Sequence, residues 1–94
     1  MRSVRFSSKA HADVKEILLY ISRDKPGAAL KFVEQIETRC KLIANNPEMG
    51  ELRPEYGHGV RSVSLGRYVI FHSVTSEEVL ILRIRSGDQD MRAL

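Results

Sequence analysis

The stretch LGRYVIFHSVTSEEVLILRIRSGDQDM, residues 65–91, carries two runs of β-branched, aromatic and aliphatic residues, YVIFHSV (68–74) and EVLILRIR (78–85). Only Thr75-Ser76-Glu77 separates them, and Gly66-Arg67 separates the first from a third run, VRSVSL (60–65). Breaks this short join neighbouring strands as hairpins, so the spacing predicts an antiparallel meander of three strands. Period-two alternation in the last run sends Leu80, Leu82 and Ile84 to one face and Val79, Ile81, Arg83 and Arg85 to the other. The first set is expected to face the core, while the second begins apolar and ends cationic.

Upstream the period changes. Ala10, Val14, Ile17, Leu18 and Ile21 recur at helical spacing, which predicts a helix over residues 8–23, capped by Ser7 or Ser8 and exposing Lys9, Asp13, Lys15, Glu16 and Arg23. His11 is expected on its exposed side. Ala29, Phe32, Val33, Ile36, Cys40 and Ile43 repeat the pattern in a second helix, with Pro26 in its first turn, Asp24 as its expected cap and Asn45-Asn46-Pro47 at its end. The short connection makes an antiparallel helical hairpin. PEMGELRPEYGHG (47–59) reads as a surface loop, and RSVRF (2–6) as a strand that joins the meander's sheet because it cannot stand alone.

The order is therefore β-α-α-β-β-β: an α+β fold in which a helical hairpin covers one face of an antiparallel sheet, built as a single domain over residues 1–94. Ninety-four residues suffice for one modest core. No run of 18 apolar residues suggests a membrane span, and no apolar leader is expected in MRSVRFSSKAHADV. The lone Cys40 cannot form an internal disulfide and fits a reducing compartment, so a cytoplasmic location is expected. The net charge of +3 arises in residues 1–50, where nine Lys and Arg face six Asp and Glu; residues 51–94 balance at six each. Such a basic half suits phosphate or an acidic protein equally.

Cleaving RNA through its 2′-hydroxyl requires a base, an acid and cations for the phosphate. His72, with Tyr68 four residues earlier on the same strand face and Arg61 on a neighbouring strand, forms the candidate nuclease set. A histidine within VIFHSV is equally a packed strand residue, so two readings stand at His72. Arg61, Arg67, Arg83 and Arg85 are spread through one short sheet, where guanidinium groups can clamp carboxylate or phosphate. Metal-ligand spacing and nucleotide-binding glycine patterns are missing, so neither a metal nor a cofactor is expected.

AxADVKEILLYI in the first helix, AAxKFVEQI and LIANNPEMGxxRPE in the second and its exit, and GVRSVSLGRYVIFH with VLILRIRSGDQDM in the sheet resemble the ParE branch of the RelE/ParE toxin superfamily. The similarity runs through nearly the whole chain in order. It implies the β-α-α-β-β-β fold and a toxin of a bacterial type II toxin–antitoxin pair. A small ParD-like antitoxin would fold its C-terminal segment over the toxin, and any DNA contact would be indirect, through antitoxin or target.

ParE-like members poison DNA gyrase, whereas RelE-like members cut mRNA on the ribosome. The chain has Val69 where RelE-like nucleases place an arginine after the strand tyrosine, and Gly87-Asp88-Gln89-Asp90 where they place a basic residue. It has His72 where ParE-like chains often have tyrosine, and Ser86 and Gln89 within a turn that is often His-rich or Arg-containing. The resemblance implies a gyrase-binding toxin without bond chemistry of its own, with Arg61, Arg67, Arg83, Arg85, Asp90 and Arg92 as target contacts. The alternatives are a ribosome-dependent mRNA endonuclease built on His72, Arg61 and Tyr68, or a non-toxic regulator that binds antitoxin.

Overall fold

A computed structural model describes residues 2–87. Strand β1 (Ser3–Phe6) leads into helix α1 (Ser8–Asp24) and helix α2 (Pro26–Asn45). A short strand β2 (Glu51–Leu52) and a 3-10 turn (Pro54–Tyr56) precede strands β3 (Arg61–Leu65), β4 (Tyr68–Val74) and β5 (Glu78–Ser86). Ser7 caps α1 by accepting the amide of Ala10 at 3.0 Å, which supplies one of the amides that a helix start leaves unpaired. Asp24 does not cap α2 as expected. It closes α1, and Lys25 alone separates the helices, with Pro26 starting the second helix of the hairpin. Between β3 and β4, Gly66 at φ +60° takes the first central position of a two-residue turn, where a side chain would be strained.

The sheet order is β1-β5-β4-β3-β2. The meander is antiparallel, as its short turns require, but β1 enters at the far edge parallel to β5, making the sheet mixed. Parallel entry follows from the connection: both helices and three strands intervene before the partner of β1, and the chain returns in the same direction. Inside the expected loop, Glu51 and Leu52 pair with Ser62 and Arg61 and close the opposite edge. Gly50 permits this approach, since at φ +91° a Cβ there would lie 2.4 Å from the Ser62 carbonyl oxygen.

Strict alternation fails in β5. Phe71 pairs with Arg83 but His72 with Ile81, so Leu82 is an extra residue and the strand carries a bulge. The inward set is therefore Val79, Ile81 and Ile84, all fully buried, and Leu80 and Leu82 are only half-buried. These three join Ile70, Val63 and Leu65 of the sheet, and Ala10, Phe32, Ile36, Cys40 and Ile43 of the helices, in one core. Each aliphatic side chain buried there contributes roughly 1.5–3 kcal/mol of transfer free energy. Among the described residues the other face of the sheet carries no α-helix. There Tyr56 meets Phe71 edge-on, with ring centroids 5.4 Å apart.

Because β1 covers β5 only as far as Ile81, the rest of that edge is left to α1. Ser7 Oγ donates to the Leu82 carbonyl at 2.7 Å, and the Ile84 amide donates to Asp13 Oδ2 at 3.0 Å. Arg83 closes on the same carboxylate with two bonds, Nε to Oδ2 at 2.7 Å and Nη2 to Oδ1 at 2.9 Å. Asp13, expected on the solvent face of α1, is instead buried against the sheet, where it stands in for the missing strand. The Asp13 and Arg83 side chains are only 9% and 11% exposed. A charge left alone at such a site keeps its desolvation penalty, so Asp13→Ala is expected to lower stability by about 3–5 kcal/mol in urea unfolding. The double replacement Asp13→Leu/Arg83→Met is expected to lose less than the sum of the single replacements.

Candidate functional site

The outer side of the helical hairpin has more apolar surface than the sheet can cover. On α1 the inward stripe widens through Leu18 to Leu19, and on α2 through Val33 to Leu30. Leu19 and Leu30 remain 58% and 65% exposed. Between the helices runs a groove of about 660 Å³ floored by Phe6, Val14, Leu18, Ala29, Val33 and Ile36. It is a continuous, mostly apolar trough, the shape that receives an amphipathic segment.

The candidate arginines do not converge. Arg61 lies at the β3 edge beside β2, paired in register with His72 and donating to the Gly50 carbonyl at 3.2 Å. Arg67 occupies the β3–β4 turn at the opposite end, its guanidinium 5.9 Å from the Tyr68 ring centre. Arg83 is bound to Asp13, which raises its already high pKa through the hydrogen bonds. Arg85 lies on the face away from the α-helices, pairs with Val69, and keeps a buried Nε with no hydrogen-bond partner among the described residues. Arg67 and Arg85 thus lie near one end of the sheet and Arg61 at the other. Asp90 and Arg92 lie outside the described residues.

His72 and Tyr68 lie on the helix side of the sheet, the first fully buried and the second half-buried. His72 is fully buried, and its Nε2 lies 3.2 Å from the Pro47 carbonyl at the exit of α2. That contact assigns the proton to Nε2 and leaves Nδ1 without a hydrogen-bond partner among the described residues. Tyr68 packs its ring on Phe32, centroids 5.1 Å apart. His72 thus sits beside Arg61 but fully buried, while Tyr68 lies four residues away along the same strand against Phe32. Burial pushes the Cys40 thiol up to about 11, which makes it a poor nucleophile. Among the described residues no cluster of His, Cys, Asp and Glu could hold a metal ion. Nor is any described helix long and apolar enough to cross a membrane.

Residues 4–91 match the family model described as the ParE toxin of the type II toxin–antitoxin system parDE. The chain belongs to the ParE toxin family. Toxin ParE1 of Caulobacter vibrioides is 28% identical over 95 residues, spanning 99% of this chain and 97% of that protein. Among solved structures, the chromosomal ParDE toxin–antitoxin system of P. aeruginosa superposes with a TM-score of 0.76 at 30% identity, covering 92% of this chain and 96% of that one. The RelBE2 toxin–antitoxin complex of Mycobacterium tuberculosis shares the fold, with a TM-score of 0.61 at 22% identity and coverage of 90% and 96%.

Two features of this ParE-family toxin were not anticipated from its residues. Asp13 falls three residues after Ala10 and four before Ile17, inside the apolar stripe of α1, and a carboxylate at that spacing is the signal of a buried partner. Leu19 and Leu30 lie at the outer margin of the two apolar stripes and stay exposed.

His72 also has a thermodynamic signature. Burial pushes its pKa below the ordinary value, nearby Arg61 adds to the effect, and the Pro47 carbonyl opposes it. The unfolded chain therefore binds a proton below about pH 6.5 that the folded chain refuses. Stability is full above that pH and falls on acidification, by no more than about 1.4 kcal/mol per pH unit, until the folded-state pKa is passed. Urea midpoints at pH 7.5 and 5.5 are expected to differ less in His72→Gln, which keeps a donor for Pro47 and cannot titrate, than in the parent protein.

Proposed function

We propose that this ParE-family toxin arrests growth by binding DNA gyrase, and that a ParD-like antitoxin holds it inactive by laying an amphipathic segment along the groove of the helical hairpin. The observation that carries the antitoxin half is the open apolar trough between α1 and α2, rimmed by Leu19 and Leu30. Ordering a flexible segment is unfavourable, and burial of this much apolar surface offsets it. The match to a ParDE system supports the same reading.

Support for gyrase over mRNA comes from the nuclease candidates. With His72 sealed beneath Pro47, no general base among them faces an open surface. The proposed target contacts are Arg61, Arg67, Arg83, Arg85, Asp90 and Arg92. Arg85 is the strongest of them, since Arg83 is already engaged by Asp13. Arg85 is exposed in part on the face away from the α-helices, and the outer nitrogens of a guanidinium suit a partner's carboxylate or phosphate.

Purified antitoxin-free protein is expected to abolish gyrase supercoiling and accumulate cleaved DNA, and Arg85→Ala to reduce potency about tenfold or more, the loss of one charge-assisted contact. Arg67→Ala is expected to act in the same direction. Ribosome-dependent mRNA cleavage by a folded sample, with supercoiling intact, would replace gyrase by the ribosome as target.

A further inference from the structure

The groove carries opposite charges on its two helices. Lys15 lines it from α1 and Glu37 from α2. They do not pair with each other: the ion pairs among the described residues are Arg5–Glu78, Arg53–Glu55 and Arg83–Asp13. Both side chains are exposed and have no hydrogen-bond partner among the described residues. One ammonium and one carboxylate thus face the same apolar trough across its width. The hairpin end carries the two exposed leucines instead.

We infer that the groove selects a helix with mixed flanks: an apolar stripe between a carboxylate row that lies over α1 at Lys15 and a cationic row that lies over α2 at Glu37. This rests on the assignment of the groove to an antitoxin segment and adds the chemistry of that segment. Like charges brought to either rim would repel, so a helix with two acidic or two basic flanks loses one favourable contact and gains an unfavourable one. A mixed-flank helix satisfies both rims, and since either direction of the helix is allowed by the apolar floor, the placement of its acidic flank also sets which way it runs.

Three fluorescein-labelled, lactam-bridged helical peptides with one leucine stripe provide the test, their flanks being Glu/Lys, Glu/Glu or Lys/Lys. In fluorescence anisotropy at low salt, the Glu/Lys peptide is expected to bind the full chain about fivefold tighter than either uniform peptide. Glu37→Lys should move the preference to the Glu/Glu peptide, and Lys15→Glu to the Lys/Lys peptide. Equal binding of all three, or preferences unmoved by the two exchanges, would overturn the mixed-flank assignment while leaving the groove as the docking site. Binding of none of them by a folded chain would overturn the groove reading itself. A free chain that sediments as a dimer and is not dissociated by the Glu/Lys peptide would show the trough filled by a second copy, which also overturns the inference.

Discussion

The carboxylate of Asp13 holds the one stretch of β5 that no strand covers. Strand β1 is four residues long and reaches only Ile81, so the amides and carbonyls beyond it would otherwise be open beneath a helix. Asp13 accepts from the Ile84 amide and from two nitrogens of Arg83, and Ser7 binds the Leu82 carbonyl one turn earlier. Buried polar groups must be paired, so this set of bonds dictates how α1 lies across the sheet. The position of α1 in turn sets that of α2, because a single residue, Lys25, links them.

The bulge at Leu82 belongs to the same arrangement. Without the extra residue, a strand that kept Val79 and Ile81 inside would turn Ile84 out of the core and Arg83 and Arg85 into it. With it, the apolar part of β5 and its cationic end both find suitable surroundings: Val79, Ile81 and Ile84 inside, Arg83 on the Asp13 carboxylate and Arg85 on the face away from the α-helices. A bulge re-aims side chains at the cost of one unpaired position. Here it falls where β1 ends and α1 begins, where the ladder is already interrupted on one side.

The helices divide their surface between two tasks. Their inner stripes complete the core, and their outer rows leave an apolar trough with Lys15 on one side and Glu37 on the other. The face of the sheet away from the α-helices has a different character, with Arg85 exposed in part and Tyr56 packed over Phe71. This ParE-family domain thus presents two unlike surfaces, one mostly apolar between the helices and one bearing a cationic strand end.

Local periodicity by itself determined the elements and their order. Helical spacing from Ala10 to Ile21 and from Ala29 to Ile43, and short turns at Gly66 and Thr75, leave few other arrangements, because neighbours in sequence pair before distant segments do. The same residues identified the ParE branch. What only the tertiary structure decided depends on contacts between residues far apart in sequence. Asp13 and Arg83 are 70 residues apart, so neither could be assigned to the core from its own neighbours. The bulge at Leu82 is invisible in β5 because both registers bury aliphatic residues, and only the pairing with β4 and the edge left by β1 choose between them. His72 was open to two readings for the same reason: alternation places it on a face, but only the return of the chain at Pro47 seals that face from solvent.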